Sequence, residues 1–266
     1  MNRHPSQSLL SANEPPPVRI INPAGASTFL LLGDHAGNAI PAALGSLGVG
    51  EADLARHIAW DIGVGGTGEM LAAALDAVFI RQTYSRLVID CNRDPDASDS
   101  MPETSDGTAI PGNQALTPTE RAARIAAIHE PYQAAIAAEC SRRRAAGMES
   151  VLVSLHSFTP SMKGRDRPWQ IGVLHGGGNL AFALSLLGVL ESHGAWTVGD
   201  NEPYAMDGTD HTIPRHAYPD ALPYAELEIR QDLLATQEQQ RQWCDILAKA
   251  LPEALNAVAG LNTAPR

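Results

Sequence analysis

The 266-residue chain is short of positive charge: 19 Lys and Arg stand against 30 Asp and Glu, a formal net charge of −11. A general nucleic-acid binder needs a basic face, and this balance argues against one. Cysteine is scarce too. Three cysteines (Cys91, Cys140, Cys244) cannot build a disulfide scaffold; they suit a reducing cytosol, so a cytoplasmic location is expected. No apolar run approaches the roughly 18 residues of a membrane span. The first 17 residues lack the apolar core of a signal peptide. Internal repeats and low-complexity tracts are missing as well. What is present is an ordinary globular composition, 44% hydrophobic, enough for a sizeable core.

Residues 1–24 read as an extended or mobile N-terminal arm, rich in proline up to Pro15-Pro16-Pro17, with regular structure beginning near Ser27 and one domain over residues 25–266. Short apolar runs bounded by Gly or polar clusters predict strands at Thr28 to His35, Ala77 to Gln82, Arg86 to Cys91, Ser150 to His156, Trp169 to His175 and Ala225 to Gln231. Helical patterns lie at Gly65 to Ala77, Thr117 to Ala146, Asn179 to Ser192 and Gln231 to Ala259. Thr117-Pro118-Thr119-Glu120 is a start signal: a capping threonine, a first-turn proline and the glutamate of a capping box. Pro131 lies inside that helix and predicts a kink or a split. Alternating strands and helices predict an α/β fold with a twisted, mostly parallel sheet flanked by helices. Residues 92–116 and 157–168 read as long loops of the kind that sit over active sites.

Three clusters carry chemistry. Two predicted strands end in histidine, at His35 in GDHAGN and His156 in LHSFTP, and open α/β sheets bind ligands at the carboxyl ends of strands. Two such histidines can share a metal, or each can be an ordinary hydrogen-bonded loop residue. In SRLVIDCNRD, Arg86 and Arg93 offer planar forks for a carboxylate, or pair with Asp90, Asp94 or Asp96 as structural ion pairs. In ELEIRQDL, Glu226, Glu228 and Arg230 share one strand face. Glu226 reads as solvated and Glu228 as buried. His57 and His129 read as structural histidines, Cys91 as a buried structural thiol.

The motifs HAGNAIP, HIAWDIG, YSRLVIDCNRD, IHEPY, SLHSFTP and ELEIRQDLL follow one another over roughly residues 25 to 240. In that order they resemble the N-formylglutamate amidohydrolase family. The Asp-x-Asn-Arg segment, Asp90 to Arg93, is also similar to the substrate-binding motif of aspartoacylase and succinylglutamate desuccinylase. The resemblance implies the zinc-carboxypeptidase-like fold, one divalent ion (zinc), and a small anionic amide as substrate. His35 and His156 then correspond to the first and last metal ligands. Where the superfamily has a glutamate three residues after the first histidine, this chain has Asn38. Asp61 of the WDIG motif is the preferred replacement, giving a two-His-one-carboxylate set of His35, Asp61 and His156. Its alternative reading is a helix N-cap. The resemblance makes Glu228 the general base and Arg86 the group that polarises the scissile carbonyl. Asn92 and Arg93 grip the substrate carboxylate, with Ser157 and Arg230 completing the substrate-binding set. His211 and His216 are reserve ligands or proton carriers.

The expected reaction is hydrolysis of N-formylglutamate to formate and glutamate by a metal-activated water, and the family name points to histidine catabolism. Two rivals keep the fold: a hydrolase of another N-acyl amino acid or peptide, and a non-catalytic binder of acidic amino-acid derivatives. A homo-oligomer is compatible with the sequence.

Overall fold

The structure is a computed structural model and describes residues 8–263, with side chains described up to residue 260. Its centre is a seven-stranded sheet: β1 (Val18–Ile21), β2 (Phe29–Gly33), β3 (Val78–Gln82), β4 (Val151–Phe158), β5 (Ile171–Leu174), β6 (Val198–Asp200) and β7 (Tyr224–Arg230). The spatial order is β1-β3-β2-β4-β7-β5-β6. Strands β3, β2, β4 and β7 run parallel in sequence across the sheet; β1 pairs antiparallel with β3, and β5 antiparallel with β7. The carboxyl ends of β2, β4 and β7 therefore emerge side by side. The helices of seven or more residues are α1 (Val64–Leu75), α2 (Pro118–Arg124), α3 (Glu130–Ala145), α4 (Ala181–Ser192) and α5 (Gln237–Thr263). None of the described helices is long and apolar enough to cross a membrane.

Strand periodicity divides the core. Odd-numbered Phe29, Leu31, Val151, Val153, Ala225 and Leu227 pack with α1, α4 and α5 on one face. Even-numbered Leu30, Leu32, Val78, Ile80, Leu152 and Tyr224 face the other way, against Ile128, Tyr132 and Ile136. Helices thus cover both faces, which is why β2 and β4 are buried along their whole length and read as continuous apolar runs.

Two expectations are corrected, and a third point adds a strand that no expectation covered. Regular structure begins at Val18, because the end of the supposed arm is edge strand β1, with Val18 opposite Gln82 and Ile21 opposite Phe79. Residues before it are pinned: the Glu14 carboxylate accepts from the amides of Ser11 (2.7 Å) and Ala42 (2.8 Å), and the Tyr84 hydroxyl donates to the Pro15 carbonyl (2.8 Å). Residues 1–7 of the arm lie outside the described residues. Second, Arg86 to Cys91 is no strand. Ser85 Oγ accepts from the Leu87 amide, the Val88 amide returns to the Ser85 carbonyl, and these local bonds curl the chain into turns. Its Leu87, Val88 and Ile89 are fully buried, so an apolar run imitates a strand without pairing as one. Third, Val198–Asp200 adds a short edge strand that carries no periodic signal.

The Thr117 start signal forms as a capping box: Thr117 Oγ1 accepts from the Glu120 amide and the Glu120 carboxylate accepts from the Thr117 amide. Pro131 does not break the helix. Proline has no N–H for the carbonyl four residues back, and the chain absorbs this with a wider π turn, Ile125–His129, between α2 and α3. Replacing Thr117 by Ala removes an exposed cap and is expected to cost about 1 kcal/mol of stability, read by chemical denaturation, with hydrolytic activity per folded molecule unchanged.

Candidate active site

The same alternation that builds the core places the site. Ser154, His156, Glu226 and Glu228 continue the even-numbered face of β4 and β7, and the register sets Glu226 beside Ser154 and Glu228 beside His156. Asp34 and His35 follow directly on β2. Asp61 comes from the turn before α1, held where its amide donates to the His35 carbonyl at 2.9 Å. His35, Asp61, His156, Glu226 and Glu228 border one cavity of about 440 Å³, with Arg86, Arg93 and Tyr204 on its walls.

His35, Asp61 and His156 are all buried, and one ligand atom from each lies within 4.8 Å of the other two. Asp61 Oδ2 is 2.9 Å from His156 Nδ1 and 3.4 Å from His35 Nδ1. Behind them sits a ring of acceptors. His35 Nε2 lies 2.6 Å from Asp90 Oδ1. His156 Nε2 lies 3.0 Å from Ser154 Oγ and 3.3 Å from Asp34 Oδ2. Asp34 in turn accepts from Ser154 (2.9 Å) and Thr212 (2.5 Å). With a hydrogen on each Nε2 donated to the acceptors behind, both Nδ1 lone pairs face Asp61. Two lone pairs and a carboxylate facing one another repel unless a proton or a cation lies among them.

The charges state the same need. Burial and Arg86 oppose a proton on His35, yet Asp90 and Asp61 pull its pKa up. Burial likewise opposes a charge on His156, and Glu226, Asp34 and Asp61 override it, raising the pKa well above the ordinary value. His35 Nδ1, Glu226 Oε2 and Glu228 Oε2 are buried without a hydrogen-bond partner, and such groups are rare unless an ion or a ligand completes them. The donor set, two imidazoles and one carboxylate with histidine-carboxylate pairs behind them, fits a catalytic divalent metal. Asp61 does not cap a helix: the N-cap of α1 is Gly63, without a side-chain bond. Asn38 is elsewhere, its amide donating to the Leu54 carbonyl at 2.8 Å.

Burial pushes the Glu228 carboxyl up to about 7 and Glu226 up to about 8. A carboxyl near neutrality, bordering the cavity beside the metal-type triad, is suited to moving a proton. Glu226 corrects an expectation. It is 2% exposed rather than solvated, because β7 lies between β4 and β5 and its charged face closes over the cavity. Arg86 is anchored through Nε and a terminal nitrogen to Asp90 (3.0 and 2.7 Å), and its other terminal nitrogen is 3.5 Å from Asp61 Oδ1.

The substrate-binding set is brought together only in part. Asn92 lines the cavity, but its amide donates to Asp210 and its oxygen accepts from the amides of His211 and Thr212. Arg93 also lines it, held by Asp99 at 3.2 Å and near Asp210 at 3.7 Å. The Ser157 hydroxyl is turned to the Ile62 carbonyl at 3.0 Å. Arg230 is not brought to the cavity wall; it pairs with Asp232 at 2.8 Å. His211 lies tilted against His129, ring centres 5.3 Å apart, and His216 bonds Gln133, so neither joins the triad. Cys91 is a buried thiol whose pKa burial pushes well up, and His129 bonds the Arg93 carbonyl. His57, expected to be structural, lines the cavity 3.4 Å from Asp106. Sequence reasoning missed Asp34, Ser154, Thr212 and Tyr204. Asp34 and Ser154 had a signal, each being a polar residue inside an apolar run next to a predicted ligand.

Residues 27–235 match the family model described as N-formylglutamate amidohydrolase. Among solved structures, gene product Atu2144 from Agrobacterium tumefaciens is 36% identical, with a TM-score of 0.91 over 94% of this chain and 99% of that one. N-formylglutamate amidohydrolase from Ralstonia eutropha JMP134 is 20% identical, with a TM-score of 0.67 over 92% of this chain and 99% of that one, a likeness of fold. The search of curated proteins found no match. With the family model spanning well over half of its length, this chain belongs to the N-formylglutamate amidohydrolase family, a family of hydrolases that act on amides.

Proposed function

We propose that this protein is a metal-dependent amidohydrolase that cleaves the amide of an N-acylated acidic amino acid, with N-formylglutamate as the substrate and formate and glutamate as products. The observation that carries this reading is the convergence of His35, Asp61 and His156 beside Glu228 and Arg86 in one cavity. His35, Asp61 and His156 would hold a zinc ion through Nδ1, a carboxylate oxygen and Nδ1. When bound, such an ion supplies Lewis acidity, polarising a carbonyl and making water acidic enough to be a nucleophile near pH 7.

The chain's own residues do the rest. Glu228, ionised, takes a proton from the attacking water as it adds to the formyl carbon. The same carboxyl then delivers that proton to the departing nitrogen, which is a poor leaving group without it. Arg86 donates a hydrogen bond to the oxygen that gains charge, and its anchorage to Asp90 means it need not reorganise as the charge develops. Arg93 carries positive charge to the cavity for a substrate carboxylate. Asp34, Ser154 and Asp90 hold the two imidazoles in place.

Three outcomes test this reading. Dialysis against a strong chelator is expected to abolish release of glutamate from N-formylglutamate, and zinc to restore it; a chelated, metal-free protein with full turnover would contradict the proposal. Glu228→Gln is expected to lower kcat by about 10²–10⁴-fold while the protein still binds zinc. Because the base must be ionised, kcat/KM is expected to fall about tenfold per pH unit on the acid side. That limb lies at or below about 7, since a bound dication favours the ionised carboxylate. A kcat/KM profile measured from pH 5 to 9 locates it.

A further inference from the structure

Arg86 and Arg93, the guanidinium groups that line the cavity, are both committed to carboxylates of the protein. Arg86 is held by Asp90 and Asp61, and Arg93 by Asp99 and Asp210. Beside the wall, Arg56 pairs with Asp53 and Asp106. Both polar atoms of the Asn92 side chain are also in use. With Arg93 shared between Asp99, Asp210 and one substrate carboxylate, a second carboxylate finds little positive charge left among these groups.

Arg167 differs. Among the described residues it forms no ion pair, and its guanidinium sits directly behind the cavity wall, its side-chain contacts all being to groups that line it. It donates to the Tyr204 hydroxyl (2.9 Å) and the Thr159 carbonyl (3.5 Å), and touches Met162 Sδ (3.1 Å). Its guanidinium carbon lies 4.7 Å from the centre of the Tyr204 ring and 5.8 Å from that of Phe158. Aromatic faces hold a cation in place without neutralising it. Tyr204 lines the same cavity as Glu228 and Arg86, so the Arg167–Tyr204 pair borders the space that holds the reacting groups.

Resting on the proposed reaction, we infer that Arg167, presented by Tyr204 and Phe158, is the residue that selects a substrate with a side-chain carboxylate. A rotation of the guanidinium off the aromatic faces exposes its planar fork to two oxygens, the geometry of bidentate carboxylate recognition. Tyr204 positions it, and its hydroxyl becomes free to donate to the same carboxylate.

The test uses the zinc-loaded enzyme and its Arg167→Ala and Arg167→Lys variants, with two readouts. Steady-state kinetics compare N-formylglutamate with N-formylglutamine, and calorimetry measures binding of glutarate, which has no amide to cleave. Arg167→Ala is expected to raise KM for N-formylglutamate and weaken glutarate binding by about 10–100-fold. Its kcat stays within about twofold, and KM for N-formylglutamine is unchanged. Arg167→Lys is expected to recover part of the loss, since it keeps the charge and loses the fork. Equal losses on both substrates, or no loss on either readout, would overturn the inference. A wild type that binds glutarate through Arg167 but hydrolyses neither substrate would defeat the proposed reaction and leave this assignment standing.

Discussion

The architecture turns on a shortage of positive charge at the ends of three strands. Asp34, Asp61, Asp90, Glu226 and Glu228 are all buried around His35 and His156, and Arg86 is the guanidinium that touches two of them. Buried carboxylates need partners, because taking an unpaired charge out of water costs several kcal/mol. The site answers in two ways. Asp34 and Asp61 stay ionised beside the imidazoles and Asp90 beside Arg86 and His35, while burial raises Glu226 and Glu228 toward neutrality. His35, Asp61 and His156 could hold a divalent cation, which would satisfy the first group and leave Glu228 to exchange a proton.

The sheet makes this concentration of charge possible. Parallel strands β2, β4 and β7 release their carboxyl ends at one edge of the core, and helices on both faces keep water from the strands below. The period of two that buries Leu152 and Tyr224 also aims His156 and Glu228 into the cavity. Packing and chemistry share one register, so a one-residue slip of β7 would send Glu226 and Glu228 into the apolar face.

Much of this was legible in the sequence where the signal is local. A histidine closing an apolar run marked His35 and His156, and Thr117 with Glu120 marked a helix start that formed as written. The strands at Ala77 to Gln82 and Ser150 to His156 stand within two residues of their expected ends. What escaped depends on distant partners. Glu226 looked solvated because alternating charges usually mark an outer face; only the neighbours of β7 show that this face lines a cavity. Asn92 looked free to bind a ligand, but the amides of His211 and Thr212, far along the chain, consume its oxygen. The turns at Arg86 to Cys91 arise from Ser85, a single hydroxyl that apolar patterning ignores. Arg230 shares its strand with Glu228, yet Asp232 captures it at the strand's end.

Anomalous diffraction from crystals of the zinc-loaded protein, collected on both sides of the zinc absorption edge, addresses the central claim directly. The account predicts a single strong peak between His35 Nδ1, Asp61 and His156 Nδ1, with the Glu228 carboxyl beside it and not bound to it. No peak there, or a peak on other side chains, would contradict the account.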